Sequence, residues 1–263
     1  MSYETVLFDV DEGVVTLTLN RPEKANTFND QLKADIRSAM ERVETDRSCR
    51  VVIITGAGRH FCAGGDLSAS RPPFTDVYGR ATPLPFMTAI EKTRVPVIAA
   101  INGAAKGGGC ELALACDFRI MSETARIGLP ELQFGGLPGA GGTQRLPRLI
   151  GIAAAKEMIF LGADNTAEEA LKIGLVNRVV PPEELMPAAM ALARELATRP
   201  DYALAAARRL INSSFDMTLE EGLDREREMQ VTMATPEERK RTIEEIVARN
   251  PVYAKAFGGK TGV

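Results

Sequence analysis

Residues 95–115 read VPVIAAINGAAKGGGCELALA, an apolar run followed by a glycine-rich loop and a second apolar run. The first run, Val95 to Ile101, predicts a strand that is buried on both faces of its sheet. The second, Leu112 to Ala115, predicts an apolar helix. The loop between them would lie at the carboxyl end of a strand and at the start of a helix, where α/β sheets usually bind ligands.

The same order of elements repeats around this stretch. Val51 to Thr55 and Phe118 to Met121 predict two more buried strands, each followed by a glycine-rich loop or a helix. Such strands, joined by helical crossovers, are typical of an α/β fold whose sheet is largely parallel and covered by helices.

Outside this repeat, the chain begins with a different pattern and ends with helices. Thr5 to Val10 and Gly13 to Leu19 alternate apolar and polar residues, which predicts a β-hairpin, and Asn29 is placed to cap the helix that follows. After about Gly151 helical periodicity dominates, apart from a short strand predicted over Leu175 to Val180. The predicted helices cover 183–198, 201–214, 218–233 and 236–248.

We expect two regions, a core of residues 1–195 that carries the site and a helical oligomerisation region of residues 196–263. The 263 residues exceed the usual size of one domain, about 100–150 residues, but no low-complexity linker divides them. Isolated helices of this length are marginal in water, so the tail should dock on the core or on a neighbouring subunit. A homo-oligomer is therefore the natural expectation.

The composition excludes several classes of protein. Apolar residues make up 45% and charged residues 25% of the chain, which argues against disorder. The 32 Lys and Arg nearly balance the 35 Asp and Glu without a long block of one sign, so we expect no nucleic-acid partner. Only 5% of the residues are aromatic whereas 23 are glycine, so special backbone geometry is more plentiful than stacking surfaces.

Cysteine and histidine usage narrows the chemistry further. The 4 cysteines form no Cys-x-x-Cys pair and the chain has 1 histidine, so we expect no metal site. Scattered cysteines, a start without a signal-like pattern and the lack of a long apolar run favour a cytoplasmic protein with no membrane segment. His60 is interpreted as a loop residue, which removes histidine-dependent nucleophiles from consideration.

Two carboxylates stand beside glycine-rich turns. Glu111 begins the apolar helix, and Glu131 follows a proline in a further glycine-rich segment, 128–145. Each has an ordinary interpretation, since Glu111 can complement a helix dipole and Glu131 can cap a turn. The alternative is that backbone donors of the turns hold an anionic intermediate beside two proton-transfer groups. Nucleotide motifs are incomplete, because no full Gly-x-Gly-x-x-Gly follows a strand and Gly258 to Thr261 is only half a P-loop.

Three segments together resemble the enoyl-CoA hydratase/isomerase, or crotonase, family. They read FCAGGDL at 61–67, GGGCELALACD at 107–117, and PE at 130–131 followed by GAGGTQRL at 139–146. Further matches at 20–26 and 170–180 extend the likeness over nearly the whole chain. The resemblance implies an α/β, crotonase-like (ClpP/crotonase) fold, in which a ββα spiral core is followed by a C-terminal helical trimerisation region. Such chains assemble as trimers or as hexamers of two trimers.

The resemblance also implies roles for particular residues in a reaction of an acyl-CoA thioester. The backbone N–H groups of Ala63 and Gly108 would form the oxyanion hole that binds the thioester oxygen. Glu111 would orient and activate a water for attack at the β-carbon, and Glu131 would deliver a proton to the α-carbon. The N–H of Gly139 would help to hold that water.

By the same resemblance, the coenzyme A part of the substrate runs along the first glycine-rich segment. Lys24 and Ala25 would lie near its nucleotide, although Lys24 is equally well interpreted as a solvated surface lysine. The expected substrate-binding residues are Lys24, Ala25, Ala63, Gly64, Gly65, Asp66, Leu67, Gly108, Pro130 and Gly139. Coenzyme A enters as part of the substrate, and we expect no cofactor and no metal.

The acyl group stays open, because the segment that usually shapes its pocket departs from the family pattern. Prolines at 72, 73, 83 and 85 argue against one regular helix between Leu67 and Ile90. Candidate pocket residues are Phe74, Tyr78, Phe86 and Met87, with Phe134 and Leu137 across the cleft. For each of them ordinary packing is the alternative interpretation.

The two glutamates at matching positions favour hydration of a 2-enoyl-CoA to a 3-hydroxyacyl-CoA by an enoyl-CoA hydratase. Double-bond isomerisation, or another crotonase-family reaction of an acyl-CoA, keeps the same oxyanion hole and is the first alternative. The second is a non-catalytic scaffold that binds acyl-CoA or RNA. A scaffold has no need of two carboxylates beside these glycines, and the chain lacks a basic strip with aromatics.

Overall fold

The computed structural model describes residues 3–66 and 85–249 of the chain, and the strands in these ranges form two sheets. Six strands are ordered β1-β2-β3-β4-β6-β9, and three are ordered β5-β7-β8. Their bounds are β1 Val6–Asp11, β2 Val14–Leu19, β3 Val51–Gly56, β4 Val97–Ile101, β5 Ala105–Lys106, β6 Phe118–Ser122, β7 Arg126–Gly128, β8 Asn165–Thr166 and β9 Arg178–Val180. In the larger sheet only β1 and β2 are antiparallel, as the hairpin pattern predicted.

The helices follow the strands in alternation and then dominate the carboxyl-terminal part. They are α1 Asp30–Thr45, α2 Pro85–Lys92, α3 Gly108–Ala115, α4 Gly142–Ile150, α5 Ile152–Phe160, α6 Ala167–Lys172, α7 Leu185–Ala197, α8 Asp201–Asn212, α9 Leu219–Thr232 and α10 Pro236–Arg249. The predicted cap of α1 is confirmed, since Asn29 Oδ1 accepts a hydrogen bond of 2.8 Å from the N–H of Leu32. That bond satisfies a first-turn donor that would otherwise have no partner.

The repeating unit of the core is a strand of the large sheet, a short strand of the small sheet, and a helix. The stretch 95–115 forms one such unit, β4, β5 and α3. Its sequence predicts the strand and the helix, whereas β5 and the first turn of α3 lie in the predicted loop. The preceding unit repeats it in part, because Cys62 forms a parallel bridge to Ala105 after β3. The α/β class with a largely parallel sheet is therefore confirmed.

Three predicted boundaries are wrong, each for a local reason. The strand predicted from Val95 begins at Val97, because Pro96 has no N–H to donate to a ladder. The strand predicted from Leu175 begins at Arg178, because the N–H of Leu175 closes the turn behind α6 by donating to the carbonyl of Ala170, at 2.8 Å. The helix predicted from residue 183 begins at Leu185, after a 3-10 turn.

The two faces of the large sheet bury different helices. Alternate residues of β3 pack on opposite sides, with Val52 and Ile54 in the cluster that contains α1. Val51 and Ile53 pack with the apolar face of α7 instead. Because both faces are covered, the strand is apolar at nearly every position, which is the pattern that its sequence carries.

The contacts of the chain divide it into two compact units, one ending at Thr198 and the other beginning at Arg199. The second unit contains α8, α9 and α10, and within it the hydroxyl of Tyr202 donates to Thr242 Oγ1 at 3.2 Å. The start of α9 is a capping box, in which Thr218 and Glu221 satisfy each other's backbone N–H groups. The oligomerisation role of residues 196–263 stays a prediction.

Gly109 offers a test of how closely the backbone packs at the start of α3. A Cβ atom at Gly109 would lie 2.0 Å from the backbone oxygen of Cys62, so Gly109→Ala forces one of the two backbone segments to move. We expect a loss of about 1–3 kcal/mol or more in the free energy of unfolding, measured by denaturant titration. Gly222→Ala is the control, because this glycine lies inside α9 with its nearest neighbour at 3.7 Å, and alanine should stabilise the protein by about 0.5–1 kcal/mol. Equal denaturation midpoints for Gly109→Ala and the unmodified chain would contradict the packing described.

Candidate active site

The site forms where the loop after β3 contacts the start of α3. At this contact backbone lies directly on backbone, because a Cβ atom at Gly64 would be 2.8 Å from the carbonyl oxygen of Lys106 and 3.1 Å from the nitrogen of Gly108. Gly64 also has a φ of +92°, which residues with side chains rarely adopt. Glycine is thus required here by both space and conformation.

Ala63 does not supply a free oxyanion donor, so that prediction is wrong. Its N–H donates to the carbonyl oxygen of Ala25 at 3.0 Å, which leaves it no hydrogen for a ligand. Ala63 instead joins its loop to the turn that carries Ala25. Nothing in the sequence marks this bond, because the acceptor lies far away along the chain.

The N–H of Gly65, unlike that of Ala63, is not taken up by the neighbouring turn. It forms a parallel bridge with Phe28, in which the flanking residues make the bonds: Gly64 accepts from the N–H of Phe28 at 2.8 Å and Asp66 donates to its carbonyl at 3.1 Å. The N–H of Gly65 therefore points away from Phe28. Gly108 is the first residue of α3, where N–H groups have no partner within the helix. In residues 3–66 and 85–249 neither N–H has a hydrogen-bond acceptor, so Gly65 and Gly108 are the available pair.

A buried asparagine that the sequence reasoning did not single out as a site residue holds the neighbouring turn. The side-chain nitrogen of Asn26 donates to the carbonyls of Ala57 and His60 at 3.0 and 2.7 Å, and its oxygen accepts from the N–H of Arg21 at 2.9 Å. These bonds support a backbone in which Ala25 and Asn26 have φ values of +49° and +55°. Such left-handed residues cost free energy and persist where the surroundings determine them. The turn thereby presents the carbonyl of Ala25 to Ala63.

The remaining residues expected along the coenzyme A path differ in what surrounds them. Lys24 is exposed at the end of the 3-10 turn Pro22–Lys24. Asp66 forms an ion pair of 3.6 Å with Arg21, so its carboxylate has a partner within the protein. Leu67 lies outside the described residues, and the coenzyme A contacts of all three stay predictions.

Glu111 is the more deeply buried of the two candidate catalytic carboxyl groups. It lies in the first turn of α3 with 3% of its surface exposed, and its Oε1 accepts hydrogen bonds from the N–H groups of Ala140 and Gly142 at 2.7 and 2.8 Å. Burial raises the pKa of Glu111, whereas these two hydrogen bonds and the charge of Arg145 act in the opposite direction. Glu111 is thus a buried carboxyl group whose charged form has partners.

Glu131, on the 3-10 helix that follows β7, has a different environment from that of Glu111. It begins the 3-10 helix Glu131–Phe134, directly after Pro130, and its Oε1 would lie 3.1 Å from a Cβ atom at Gly107. Its Oε2 is buried without a hydrogen-bond partner among the residues that the structure describes. Burial raises the pKa of Glu131, and only its own backbone N–H acts in the opposite direction. Burial therefore shifts the protonation equilibrium of Glu131 toward the neutral form, and its Oε2 has no partner that would stabilise a charge among the described residues.

The loop before α4 brings the third glycine-rich segment to these carboxyl groups. Gly139 is exposed on this loop, one residue before the Ala140 that donates to Glu111. Gly142 begins α4 and has no room for a side chain, since a Cβ atom there would lie 2.7 Å from Pro138. The structure thus joins Glu111, Glu131 and the three glycine-rich segments at one place, while contact of Pro130 and Gly139 with a substrate stays a prediction.

The candidate pocket residues fall into three groups. Phe86 and Met87 are each 2% exposed and pack in the hydrophobic core, as their alternative interpretation expects. The ring of Phe86 packs on that of Phe28 at 5.1 Å, beneath the position of Gly108. Phe134 and Leu137 are 77% and 62% exposed. Phe74 and Tyr78 lie outside the described residues.

Residues 3–66 and 85–249 contain neither a cluster of metal ligands nor a membrane-spanning helix. Within these ranges no three His, Cys, Asp or Glu side chains cluster as metal ligands. No helix in the same ranges is both long enough and apolar enough to cross a bilayer. All four cysteines are buried thiols, and burial raises the pKa of Cys62 to about 12, which makes it unreactive as a nucleophile.

Comparison with known proteins relates this chain to enoyl-CoA hydratases and isomerases. Residues 9–255 match the family model described as enoyl-CoA hydratase/isomerase. A probable enoyl-CoA hydratase of Rhizobium meliloti is 38% identical over 97% of this chain and 99% of its own length. The crystal structure of an enoyl-CoA hydratase from Bacillus anthracis superposes with a TM-score of 0.85 and 36% identity, over 94% of this chain and 97% of that one. A 1,2-epoxyphenylacetyl-CoA isomerase of Escherichia coli is 40% identical over 86% of this chain and 89% of its own length.

The environment of Glu131 predicts a stability that depends on pH. Because its folded pKa is raised, its favourable contribution is present in acid and is lost as the pH rises through that pKa. Glu131→Gln carries no charge, so its advantage in melting temperature should grow as the pH rises above about 4.3, the unfolded pKa of glutamate. A gain of about 1 kcal/mol corresponds to roughly 2–4 °C for a chain of this size.

Thermal unfolding between pH 4 and 8 measures this difference. Glu183→Gln, at an exposed carboxylate of the turn before α7, is the matched control and should show no such growth. An advantage of Glu131→Gln that stays constant across this pH range would contradict the burial described.

Proposed function

The chain belongs to the enoyl-CoA hydratase/isomerase family and has the crotonase fold, and on that premise we propose that it is an enoyl-CoA hydratase. It would act as a hydro-lyase that adds water to the α,β double bond of a 2-enoyl-CoA and releases a 3-hydroxyacyl-CoA. One observation carries the proposal: the buried carboxyl group of Glu111 and the half-buried one of Glu131, whose Oε2 is enclosed, adjoin backbone donors that have no partner within the described residues.

The backbone donors of Gly65 and Gly108 are the proposed oxyanion hole. Attack of water at the β-carbon pushes the electron pair of the double bond toward the thioester, so negative charge collects on its oxygen. Two N–H groups aimed at that oxygen stabilise the enolate, and loss of one such donor typically costs about 3–4 kcal/mol. Gly65 takes this role in place of Ala63, whose N–H is bound to Ala25.

The two glutamates act as a base and an acid. Ionised Glu111 accepts a proton from the water as its oxygen bonds to the β-carbon, and protonated Glu131 then donates its proton to the α-carbon of the enolate. Each turnover leaves Glu111 protonated and Glu131 ionised, and proton exchange with solvent water restores both. The difference in environment supports these roles, because the charged form of Glu111 has two N–H partners and Arg145 nearby, whereas Oε2 of Glu131 has none among the described residues.

The substrate is proposed to be a CoA thioester, bound without a metal or a cofactor. Lys24 and Ala25 would lie near its nucleotide, and Asp66 and Leu67 along the pantetheine. Pro130 and Gly139 would line the reacting end, where the N–H of Gly139 helps to hold the water. Four buried thiols support a reducing compartment, the cytoplasm.

Isomerisation of the double bond is the second candidate, and one relative supports it. The Escherichia coli relative that is 40% identical is named an isomerase. Isomerisation needs the same oxyanion hole but transfers a proton between carbons without adding water. Retention of two carboxyl groups able to hold a water favours hydration. A non-catalytic scaffold is disfavoured, because burying Glu111 and Glu131 costs free energy that mere binding does not require.

We also propose that the chain assembles with copies of itself, as a trimer or a hexamer. Large apolar side chains are exposed from the 3-10 helix Glu131–Phe134 to the residue after α5, and they are Leu132, Phe134, Leu137, Leu149, Ile152, Phe160 and Leu161. An apolar surface of this kind usually marks an interface. A second copy of the chain is the occupant that the family resemblance favours.

Turnover of enoyl-CoA substrates tests the reaction. The loss of the conjugated thioester absorbance should be rapid with crotonyl-CoA or with a longer or branched enoyl-CoA. Glu111→Gln and Glu131→Gln should each lower kcat by about 10²–10⁴-fold, because each removes one proton transfer, while both variants stay folded. Glu183→Gln serves as the control with full activity.

Three other outcomes would each contradict a different part of the proposal. Glu131→Gln with full activity would remove the proposed acid. Turnover of 3-enoyl-CoA without hydration would favour the isomerase. Absence of any turnover across the panel, together with RNA binding at physiological salt, would favour the scaffold.

Assembly is measured by light scattering coupled to gel filtration. The unmodified chain should have three or six times the mass of one chain. Phe160→Glu should lower that mass because it places a charge in an apolar interface, whereas Val10→Glu, at an exposed residue of the hairpin, should not. A monomeric mass for the unmodified chain would contradict the proposal.

A further inference from the structure

Both backbone groups of Ala140 form hydrogen bonds, and only the bond of its N–H belongs to the site described above. Its N–H donates to Oε1 of Glu111 at 2.7 Å. Its carbonyl oxygen accepts a hydrogen bond of 2.8 Å from Nη1 of Arg145, one turn into α4. The residue that orients Glu111 is therefore oriented in turn by a guanidinium group.

The guanidinium of Arg145 has a fixed anchor on another helix. Nη2 donates to Oε2 of Glu91 at 2.7 Å, and Nε donates to Oε1 of the same carboxylate at 3.2 Å. This paired arrangement fixes the plane of the guanidinium, which a single contact or a lysine cannot do. The side chain of Arg145 is 20% exposed, so the pair is partly shielded from water. Glu91 lies in α2, so the pair ties α2 to the loop that holds Glu111.

Gly141 is what lets Arg145 reach the carbonyl of Ala140. A Cβ atom at Gly141 would lie 2.0 Å from Nη1 of Arg145, so any side chain there would push the guanidinium aside. Gly141 also has a φ of +111°, outside the range of ordinary residues. The glycine leaves room for the arginine as well as shaping the turn.

We propose that Arg145 is a positioning residue for the reaction, which holds Ala140 so that its N–H, with that of Gly142, fixes the carboxylate of Glu111, and that Glu91 anchors Arg145. This inference rests on the proposed function for its kinetic consequence, although the arrangement itself can be tested without turnover. In the part of the chain that the structure describes, Arg145 hydrogen-bonds to Ala140 and to Glu91, and its positive charge also acts to lower the pKa of Glu111. Its effect should therefore appear in the chemical step more than in substrate binding.

The kinetic test is a set of four single variants and one double variant. Arg145→Met should lower kcat by about 10–100-fold with KM within about twofold, because displacement of a catalytic group by about an ångström has effects of this size. Arg145→Lys should recover part of the loss, since a lysine can bond either the carbonyl or the carboxylate. Glu91→Gln should give a smaller loss, and Gly141→Ala a loss in kcat. Combining Glu91→Gln with Arg145→Met should add nothing to the loss from Arg145→Met alone, since both act through one contact.

A matched control separates positioning from the general effect of removing an ion pair. Arg194 pairs with Asp11 at 2.9 Å on the surface of the same compact unit, and Arg194→Met should leave kcat unchanged. Unchanged kcat in Arg145→Met would overturn the inference. So would a loss of kcat that follows only the fraction of unfolded protein, or a loss that appears in KM alone.

Amide hydrogen exchange tests the arrangement without any substrate. Arg145→Met should speed exchange in a peptide that covers Ala140 and Gly142, whose N–H groups then hold Glu111 less firmly, while peptides from β3 and β4 exchange as before. Unchanged exchange at Ala140 and Gly142 would overturn the inference. If the unmodified enzyme hydrates no enoyl-CoA, the proposed function fails, and the exchange result alone then decides whether Arg145 holds the loop.

Discussion

The site depends on a contact between two backbone segments with no side chain between them. The loop that contains Cys62 and Gly64 lies against the start of α3 so closely that a single methyl group at Gly109 would meet a carbonyl oxygen at 2.0 Å. This contact brings the loop of Gly64 and Gly65 against the start of α3 at Gly108, and the proposed oxyanion hole depends on it. The glycines allow this contact because they have no side chain. The hydrogen bonds of Ala63 and Asn26 hold the loop after β3 in the position that the contact requires.

A second constraint follows, because the carboxyl groups around this contact are removed from water, Glu111 almost fully and Glu131 in part. Burial raises the pKa of both Glu111 and Glu131, which costs stability near neutral pH. The protein offsets part of this cost at Glu111 with two backbone hydrogen bonds, whereas Oε2 of Glu131 has no partner in the described ranges. In the proposed reaction, this difference in environment separates the base, Glu111, from the acid, Glu131. The proposal thus accounts for a loss of stability by the need for two different carboxyl groups at one site.

Much of this arrangement could be predicted from local patterns. The strand, loop and helix of residues 95–115, the cap at Asn29 and the placement of Glu111 at a helix start all depend on near neighbours in the sequence, and each was confirmed. The boundaries at Val95 and Leu175 were wrong because a proline without an N–H and a turn-closing hydrogen bond outweigh apolar character. Both are visible only when the partner of each backbone group is known.

The residues that sequence reasoning missed are those whose role depends on a distant partner. Ala63 and Gly65 are both small residues of one loop, and only the bond from Ala63 to Ala25 distinguishes the occupied donor from the free one. The role of Arg145 likewise depends on Glu91, in a helix far away along the chain. The acyl pocket is also hard to predict from the sequence, because an apolar residue such as Phe86 or Met87 suits a pocket and a core equally well, and only the structure shows that both pack in the core.

The central claim is that Glu111 and Glu131 together add the elements of water to a thioester held by two backbone N–H groups. Incubation with crotonyl-CoA in water enriched in both ¹⁸O and deuterium, followed by mass spectrometry of the product, measures this directly. The account predicts one ¹⁸O at the β-carbon and one deuterium at the α-carbon of the 3-hydroxybutyryl thioester. Deuterium that enters the acyl chain without any ¹⁸O would mean that the glutamates move protons without adding water, and would contradict the account.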